Sequence, residues 1–256
     1  MTSELCIVEH TPNSGAWNMA LDEALLEAAL AEEFVVSRWY RWSEPTLSLG
    51  YFQSPDDPLI DTRFRDLQKV RRLSGGGAIL HDREWTYSCV IPPSHPQSET
   101  PLQVYHQAHD AIISVLKRHG VPAALRGEFL DALEGNFLCF QRGDSRDIVC
   151  DGKKILGSAQ RRRRGAVLQH GSLIVEASPV APEIPGLKEQ ANLDTLDNDI
   201  ITELAQALHS VLRINELESG NQLSDETAYP QSILDRATEL KHERYDALAW
   251  GRRRKS

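Results

Sequence analysis

Cysteine is scarce in this chain. Four occur in 256 residues, at positions 6, 89, 139 and 150, with neither a C-x-x-C pair nor the density of a disulfide scaffold. A reducing setting follows. No apolar run approaches the roughly 20 residues that span a bilayer, and Met1 to Cys6 lacks the basic flank and apolar core of a secretory signal. The expectation is a cytoplasmic protein with no membrane partner. Positive charge is also short: 28 Lys and Arg stand against 37 Asp and Glu, a net charge of −9. That argues against a dedicated nucleic-acid binder. Three motifs are missing as well. No Gly-Lys-Ser/Thr follows the glycine run, so there is no nucleotide P-loop. No G-x-S-x-G nucleophile elbow exists, and no paired ligand spacing suggests a metal site.

What is present reads as an ordinary soluble globular composition, 25% charged and 41% apolar. The length suits one domain of upper-middle size or two small ones, and no repeat or interdomain linker divides it. Leu5 to Glu9, Phe34 to Tyr40, Thr46 to Tyr51, Trp85 to Ile91 and Val167 to Val175 alternate or are β-branched and aromatic, as strands are. Trp17, Ala20, Leu21, Ala24, Leu25 and Ala28 recur at helical spacing, and Pro101 opens a second helix that Gly120 stops. Ile148 to Cys150, Asp151-Gly152 and Lys154 to Leu156 form strand, turn and strand. Arg161 to Arg164 is expected to be the next turn. Leu196 to Leu212 and Ser232 to Trp250 read as helices. Without regular βαβ alternation, the fold class is α+β, a mixed β-sheet flanked by helices.

Three segments carry chemistry. Arg71-Arg72-Leu73-Ser74-Gly75-Gly76-Gly77-Ala78 combines fixed positive charge with a backbone that a ligand can approach closely. Cys139 is a candidate nucleophile, although a lone cysteine between Leu138 and Phe140 is more often a small buried hydrophobe. Lys154, ahead of Gly157-Ser158-Ala159, offers an amine that favours a nearby thiolate. Lys153 is expected to point the other way, and Cys89 and Cys150 to be structural.

These segments, with Ile79-Leu80-His81-Asp82 and Gln169-His170-Gly171-Ser172-Leu173, resemble the lipoate–protein ligase and octanoyltransferase family, which shares its fold with the biotin–protein ligase catalytic domain. Asn18 to Leu25 and Leu47 to Gln53 fit it too. The resemblance implies a single catalytic domain over 1–256, with a core at about 5–215 and a helical extension at about 216–256. It implies catalytic roles for Cys139 and Lys154, which stand at the cysteine-to-lysine spacing of the cysteine-dependent octanoyltransferases. Arg72, Ser74, Gly75, Gly76, Gly77, Ala78, Ile79, Leu80, His81, Gly157, Ser158, Ala159, His170 and Gly171 would bind substrate. The implied reaction moves an octanoyl group from acyl carrier protein to a lysine of a lipoyl domain. Acceptors would be 2-oxoacid dehydrogenase E2 subunits or glycine cleavage H protein, with no cofactor.

The resemblance leaves two other chemistries open. One is ATP-dependent lipoate ligation through lipoyl-adenylate, which would need ATP and Mg and make Cys139 incidental. The other is an amidotransferase between lipoyl domains. The Gly-Gly-Gly-Ala run is closer to the ligases, whereas Glu84-Trp85 is closer to the transferases. A binding module without catalysis would not need both Cys139 and Lys154. Finally, between Arg142 and Gly165 eight basic residues face three acidic ones, a local charge of +5 on an acidic chain. Such a rim would steer acidic carrier domains.

Overall fold

The alternating and β-branched segments become strands and the 3.6-period segments become helices, close to where their patterns place them. A computed structural model of the chain describes residues 3–32, 34–128, 137–193, 195–213, 223–224 and 229–246. The strands are β1 (Ser3–Val8), β2 (Phe34–Tyr40), β3 (Thr46–Leu49), β4 (Gln68–Arg71), β5 (Ile79–His81), β6 (Glu84–Ile91), β7 (Ala123–Leu125), β8 (Ile148–Cys150), β9 (Lys153–Arg163), β10 (Ala166–Ile174) and β11 (Leu223–Ser224). The helices are α1 (Gly15–Ala31), α2 (Pro58–Asp61), α3 (Pro101–Arg118), α4 (Leu187–Ala191), α5 (Asn198–Leu212) and α6 (Gln231–Leu240). The Ser14 hydroxyl accepts from Trp17 N, satisfying an otherwise orphaned amide at the start of α1. Asp197 does the same for α5.

Eight strands form one mixed sheet in the order β11-β1-β2-β6-β10-β9-β8-β7, and three more form a small sheet, β4-β3-β5. Side chains alternate across a strand, so the large sheet supports two cores. Val35, Trp39, Tyr87 and Cys89 pack with Ile112, Leu116, Leu204 and Leu208 of α3 and α5. Val36, Val90 and Leu168 pack with Leu21, Leu25, Ile233 and Leu240 of α1 and α6. Each such aliphatic side chain stabilises the fold by about 1.5–3 kcal/mol on burial. A third cluster, with Leu47, Leu49, Phe64, Ala78, Leu80 and Leu138, joins the small sheet to the segment that carries Cys139. The architecture is the expected α+β arrangement in one domain. Among the described residues, no helix is long and apolar enough to cross a membrane.

Two expectations need correction. Arg161 to Arg164 is not a turn: β9 continues to Arg163, with Arg161, Arg162 and Arg163 paired to Leu168, Val167 and Ala166. The reversal falls at Arg164 and Gly165, both at positive φ, as the twist of a two-residue hairpin requires. The arginines fit a strand there because β8 pairs with β9 only from Lys153 to Leu156, so Arg161–Arg163 pair on the β10 side alone and form a sheet edge among the described residues. The helix expected over Ser232 to Trp250 is shorter than its pattern. After α6 one π-helical turn, Lys241–Tyr245, swings Arg244 and Tyr245 onto Glu23 of α1, and Asp246 is extended. Residues 247–250 lie outside the described residues, as does most of 216–228 in the expected extension. Leu223–Ser224 there is a strand beside β1.

Candidate active site

The Arg71 to Ala78 segment links β4 to β5, and its arginines hold backbone carbonyls of the segment itself and of the β3 end beside it. Arg71 donates to the carbonyls of Gly50, Tyr51 and Gln53 at 2.9, 3.2 and 2.8 Å. Arg72 donates to Ser48 O at 3.0 Å, Gly75 O at 2.7 Å and Gly77 O at 2.6 Å. Burial lowers the Arg72 guanidinium to about 10, which still leaves it charged at neutral pH. The third glycine has a separate task. A Cβ on Gly77 would lie 3.1 Å from both Cys139 N and Phe137 O, so the glycine lets the Cys139 segment dock this closely without displacing its backbone. Docking is by backbone: Cys139 N donates to Ala78 O at 2.7 Å, and Ala78 N to Phe137 O at 3.1 Å.

That docking brings Cys139 to Lys154. Cys139 opens a short 3-10 turn, Cys139–Gln141, and is half-buried. Lys154, buried on β9, places Nζ 3.6 Å from the Cys139 sulfur and 3.3 Å from the Cys139 carbonyl oxygen. Its third partner is Asp147 Oδ1 at 3.0 Å. Burial raises the Asp147 carboxyl above its ordinary value, with the Lys154 charge opposing the rise. Lys153 is exposed, as expected for its strand neighbour. The other cysteines are buried, and burial pushes the Cys6 thiol up to about 11, the Cys89 thiol up to about 12 and the Cys150 thiol upward. Cys139 alone among the four has an ammonium beside its sulfur and access to a cleft.

The cleft occupies about 470 Å³ out to its open mouth. Of the residues singled out from sequence, Arg72, Gly75, Gly76, Ile79, His81, Cys139, Gly157, Ser158, Ala159, His170 and Gly171 line it. Lys154 and Gly77 line an adjoining groove that Cys139 shares. Ser74 sits behind the cleft wall, bonded to His170. Ala78 and Leu80 face a different cavity, with Leu138 and Ile184.

Both cleft histidines stand in serine–histidine–carboxylate chains. His81 Nδ1 lies 2.6 Å from Glu84 Oε1 and Nε2 lies 2.7 Å from Ser48 Oγ. His170 Nδ1 lies 3.1 Å from Asp22 Oδ2, with Nε2 on Ser74 Oγ. Ionised carboxylates only accept, so each Nδ1 carries a hydrogen, and in the neutral imidazole each Nε2 accepts from a serine hydroxyl. Burial lowers His81, against the pull of Glu84. Burial alone would raise Asp22, but the His170 hydrogen bond and the Arg38 charge outweigh it and hold the carboxyl below its ordinary value. Among the described residues, no group of three or more His, Cys, Asp or Glu is placed to hold a metal ion.

Residues 14–219 match the family model of the lipoyl protein ligase A/B catalytic domain. The chain belongs to that family. Octanoyltransferase LipM of Oceanobacillus iheyensis is 40% identical to it over 177 residues, 68% of this chain and 64% of that protein. Octanoyltransferase LipM of Carboxydothermus hydrogenoformans is 37% identical over 173 residues, 66% of this chain and 64% of that protein. The chain therefore spans just under two thirds of the length of these curated relatives. A bipartite lipoate protein ligase from Thermoplasma acidophilum shares the fold, with a TM-score of 0.68 at 20% identity over 100% of this chain and 99% of that one.

Asp22, Ser48 and Glu84 fall in segments that fit the family pattern, but their pairing with the two histidines carries no signal in a single sequence. Asp147 looks like an ordinary solvated acid and carries none either. His109 of α3 is another. Its Nδ1 donates to Arg146 O at 2.7 Å, its Nε2 accepts from Ser158 Oγ at 2.7 Å, and burial pushes it down to about 4. Tyr87 OH reaches the same Ser158 Oγ at 2.7 Å, and Tyr105 OH donates to Ser158 O at 3.0 Å. The cleft wall at Ser158 is thereby held from three sides. The basic patch is only partly free: Arg146 pairs with Asp144, and Arg163 with Glu27 at 3.5 Å. Arg161 lies over the Tyr51 ring, while Arg162 is exposed on the groove.

Proposed function

We propose that this protein is an octanoyltransferase that moves an octanoyl group from acyl carrier protein to a lipoyl-domain lysine through an acyl-Cys139 intermediate. The observation that carries this reading is the 3.6 Å approach of Lys154 Nζ to the Cys139 sulfur at the mouth of the cleft. An ammonium at that distance favours the thiolate, the nucleophilic form. The thiolate attacks the carbonyl carbon of the donor thioester, the carrier thiol leaves, and Cys139 holds the acyl group as a new thioester. The acceptor amine, having lost a proton, then attacks that carbonyl, forming an amide and releasing Cys139. Thioester exchange is near energy-neutral and aminolysis is downhill, so the reaction runs without ATP.

The acyl chain enters between Ile79 and His170, while the groove lined by Arg162 receives the carrier domains. The names of the LipM relatives support the transferase reading over the ligase one. ATP-dependent ligation would leave the cysteine–lysine contact without a task. The test is incubation with octanoyl-acyl carrier protein and no ATP, followed by intact mass. One added octanoyl unit, released by hydroxylamine and absent in Cys139→Ala, is expected. Full activity of Cys139→Ala, dependent on ATP, would replace this reading with ligation.

A further inference from the structure

We propose that Asp147 is a positioning residue: together with the Cys139 carbonyl it fixes two hydrogens of the Lys154 ammonium and leaves the third aimed at the Cys139 sulfur. The inference rests on the acyl-cysteine reading above and adds a residue to it.

An ammonium has three donor hydrogens, arranged tetrahedrally, and no acceptor. Lys154 Nζ has three acceptors around it: Asp147 Oδ1 at 3.0 Å, Cys139 O at 3.3 Å and Cys139 Sγ at 3.6 Å. The number of donors matches the number of acceptors, and the shortest contact is to Asp147. A lysine ends on a flexible four-carbon stem, which by itself would not keep one direction. Asp147 is the rigid part of the arrangement. Its Oδ2 accepts from Asp144 N at 2.8 Å, its amide donates to Asp144 O at 3.0 Å, and its carbonyl accepts from Arg126 N at 2.8 Å. Both side chains of the pair are buried, at 4% and 3% exposure, so water does not compete for the contact.

Charge alone does not explain the carboxylate. A negative group near a thiolate opposes the thiolate, so an acid placed here for its charge would work against the nucleophile. Its geometry is what the site can use. The charged or titratable groups facing the pair are Asp144, Arg146 and Asp147 from the loop before β8, Arg72 from the glycine segment, and Tyr105 and His109 from α3. Of these, Asp147 has the one carboxylate within hydrogen-bond reach of Lys154 among the described residues.

Position and charge can be separated by substitution. Asp147→Asn keeps an oxygen acceptor toward Lys154 without the charge, giving up only the acceptor for Asp144 N, whereas Asp147→Ala removes acceptor and charge together. The readout is the rate of Cys139 alkylation by iodoacetamide against pH, in the full chain, with the other cysteines buried. It needs no acyl donor, so it stands whether or not octanoyl transfer is observed. Asp147→Ala is expected to move the profile to higher pH and to slow acyl-Cys139 formation on the order of 100-fold, the cost of a misplaced catalytic group. Asp147→Asn, which lifts the opposing charge, should show a profile at the parent's pH or below it and recover most of that loss. In a Lys154→Ala background, Asp147→Ala should slow alkylation no further. An unshifted profile in Asp147→Ala, or an additional loss on top of Lys154→Ala, overturns the proposal. If circular dichroism shows Asp147→Ala unfolded, Asp147→Asn decides: a profile displaced to higher pH as far as that of Lys154→Ala overturns it, and a profile at the parent's pH or below upholds it.

Discussion

Gly157 lies directly under the Lys154 side chain, where a Cβ would sit 2.5 Å from Cε and 2.7 Å from Nζ. The lysine reaches Cys139 by folding back across a residue with no side chain.

Gly157→Ala tests that relationship. The atoms in the way are the far end of a flexible side chain, so the fold can adapt by moving the ammonium, and the urea midpoint should hardly change. The displaced ammonium should slow acyl-Cys139 formation by about 10- to 100-fold. Unchanged acylation would show that the lysine need not lie across this glycine.

Arg38 is fully buried between Glu9 at 3.0 Å and Asp22 at 3.5 Å, and Asp22 also accepts from Ser88 at 2.7 Å. Asp22→Asn removes one charge from this set, and breaking a buried pair costs about 3–5 kcal/mol. The new amide would also face the Nδ1 hydrogen of His170, donor against donor. A large drop in unfolding free energy with weaker acyl transfer is expected, and chemical denaturation followed by fluorescence measures the first. Unchanged stability would mean that Glu9 alone suffices for Arg38.

Acid should destabilise the fold through His109. Its folded value, about 4, lies below the ordinary 6.5, so the folded state binds fewer protons than the unfolded chain. Its contribution is therefore complete above about pH 6.5 and is lost as pH falls toward 4, on the order of 3 kcal/mol in all. His81 is shifted in the same direction. Urea unfolding at steps from pH 7 to pH 4 should show this loss, and His109→Gln should flatten it. An equal slope in the variant would assign the acid sensitivity elsewhere.

Arg162 is the rim arginine to test for steering of carrier domains, since it is exposed and meets Gln160 Oε1 only at 3.5 Å, whereas Arg161 lies over an aromatic ring and Arg163 pairs with a carboxylate. Arg162→Ser should lower kcat/KM for acyl carrier protein several-fold at low salt. Near 0.15 M salt the Debye length is ~8 Å and the difference should shrink. Reaction with a small acyl thioester should be unaffected. Equal loss with both donors would place Arg162 in the site itself.

How far local pattern reaches is visible at particular residues. Phe34–Tyr40 is a strand with the bounds its β-branched and aromatic composition predicts, and the Pro101 helix starts at its proline. Both signals are local, a β-branched and aromatic composition and a fixed φ, and short-range sterics suffice for them. The arginine run shows where the same logic fails. Four charged residues read as a turn, but Arg161–Arg163 continue the β9–β10 ladder because hairpin register moved the reversal to Arg164-Gly165.

Sequence by itself determined the α+β elements, the glycine segment and the identity of Cys139 and Lys154 as a pair worth joining. Only the tertiary structure decided what surrounds them. The strand pairing of β8 with β9 sets Asp147 against Lys154, and the sheet holds His170 against Asp22 from a helix 148 positions away. A carboxylate at a single position looks the same whether it is solvated or buried. Its role depends on which distant donor the packing delivers and on how much water the same packing removes.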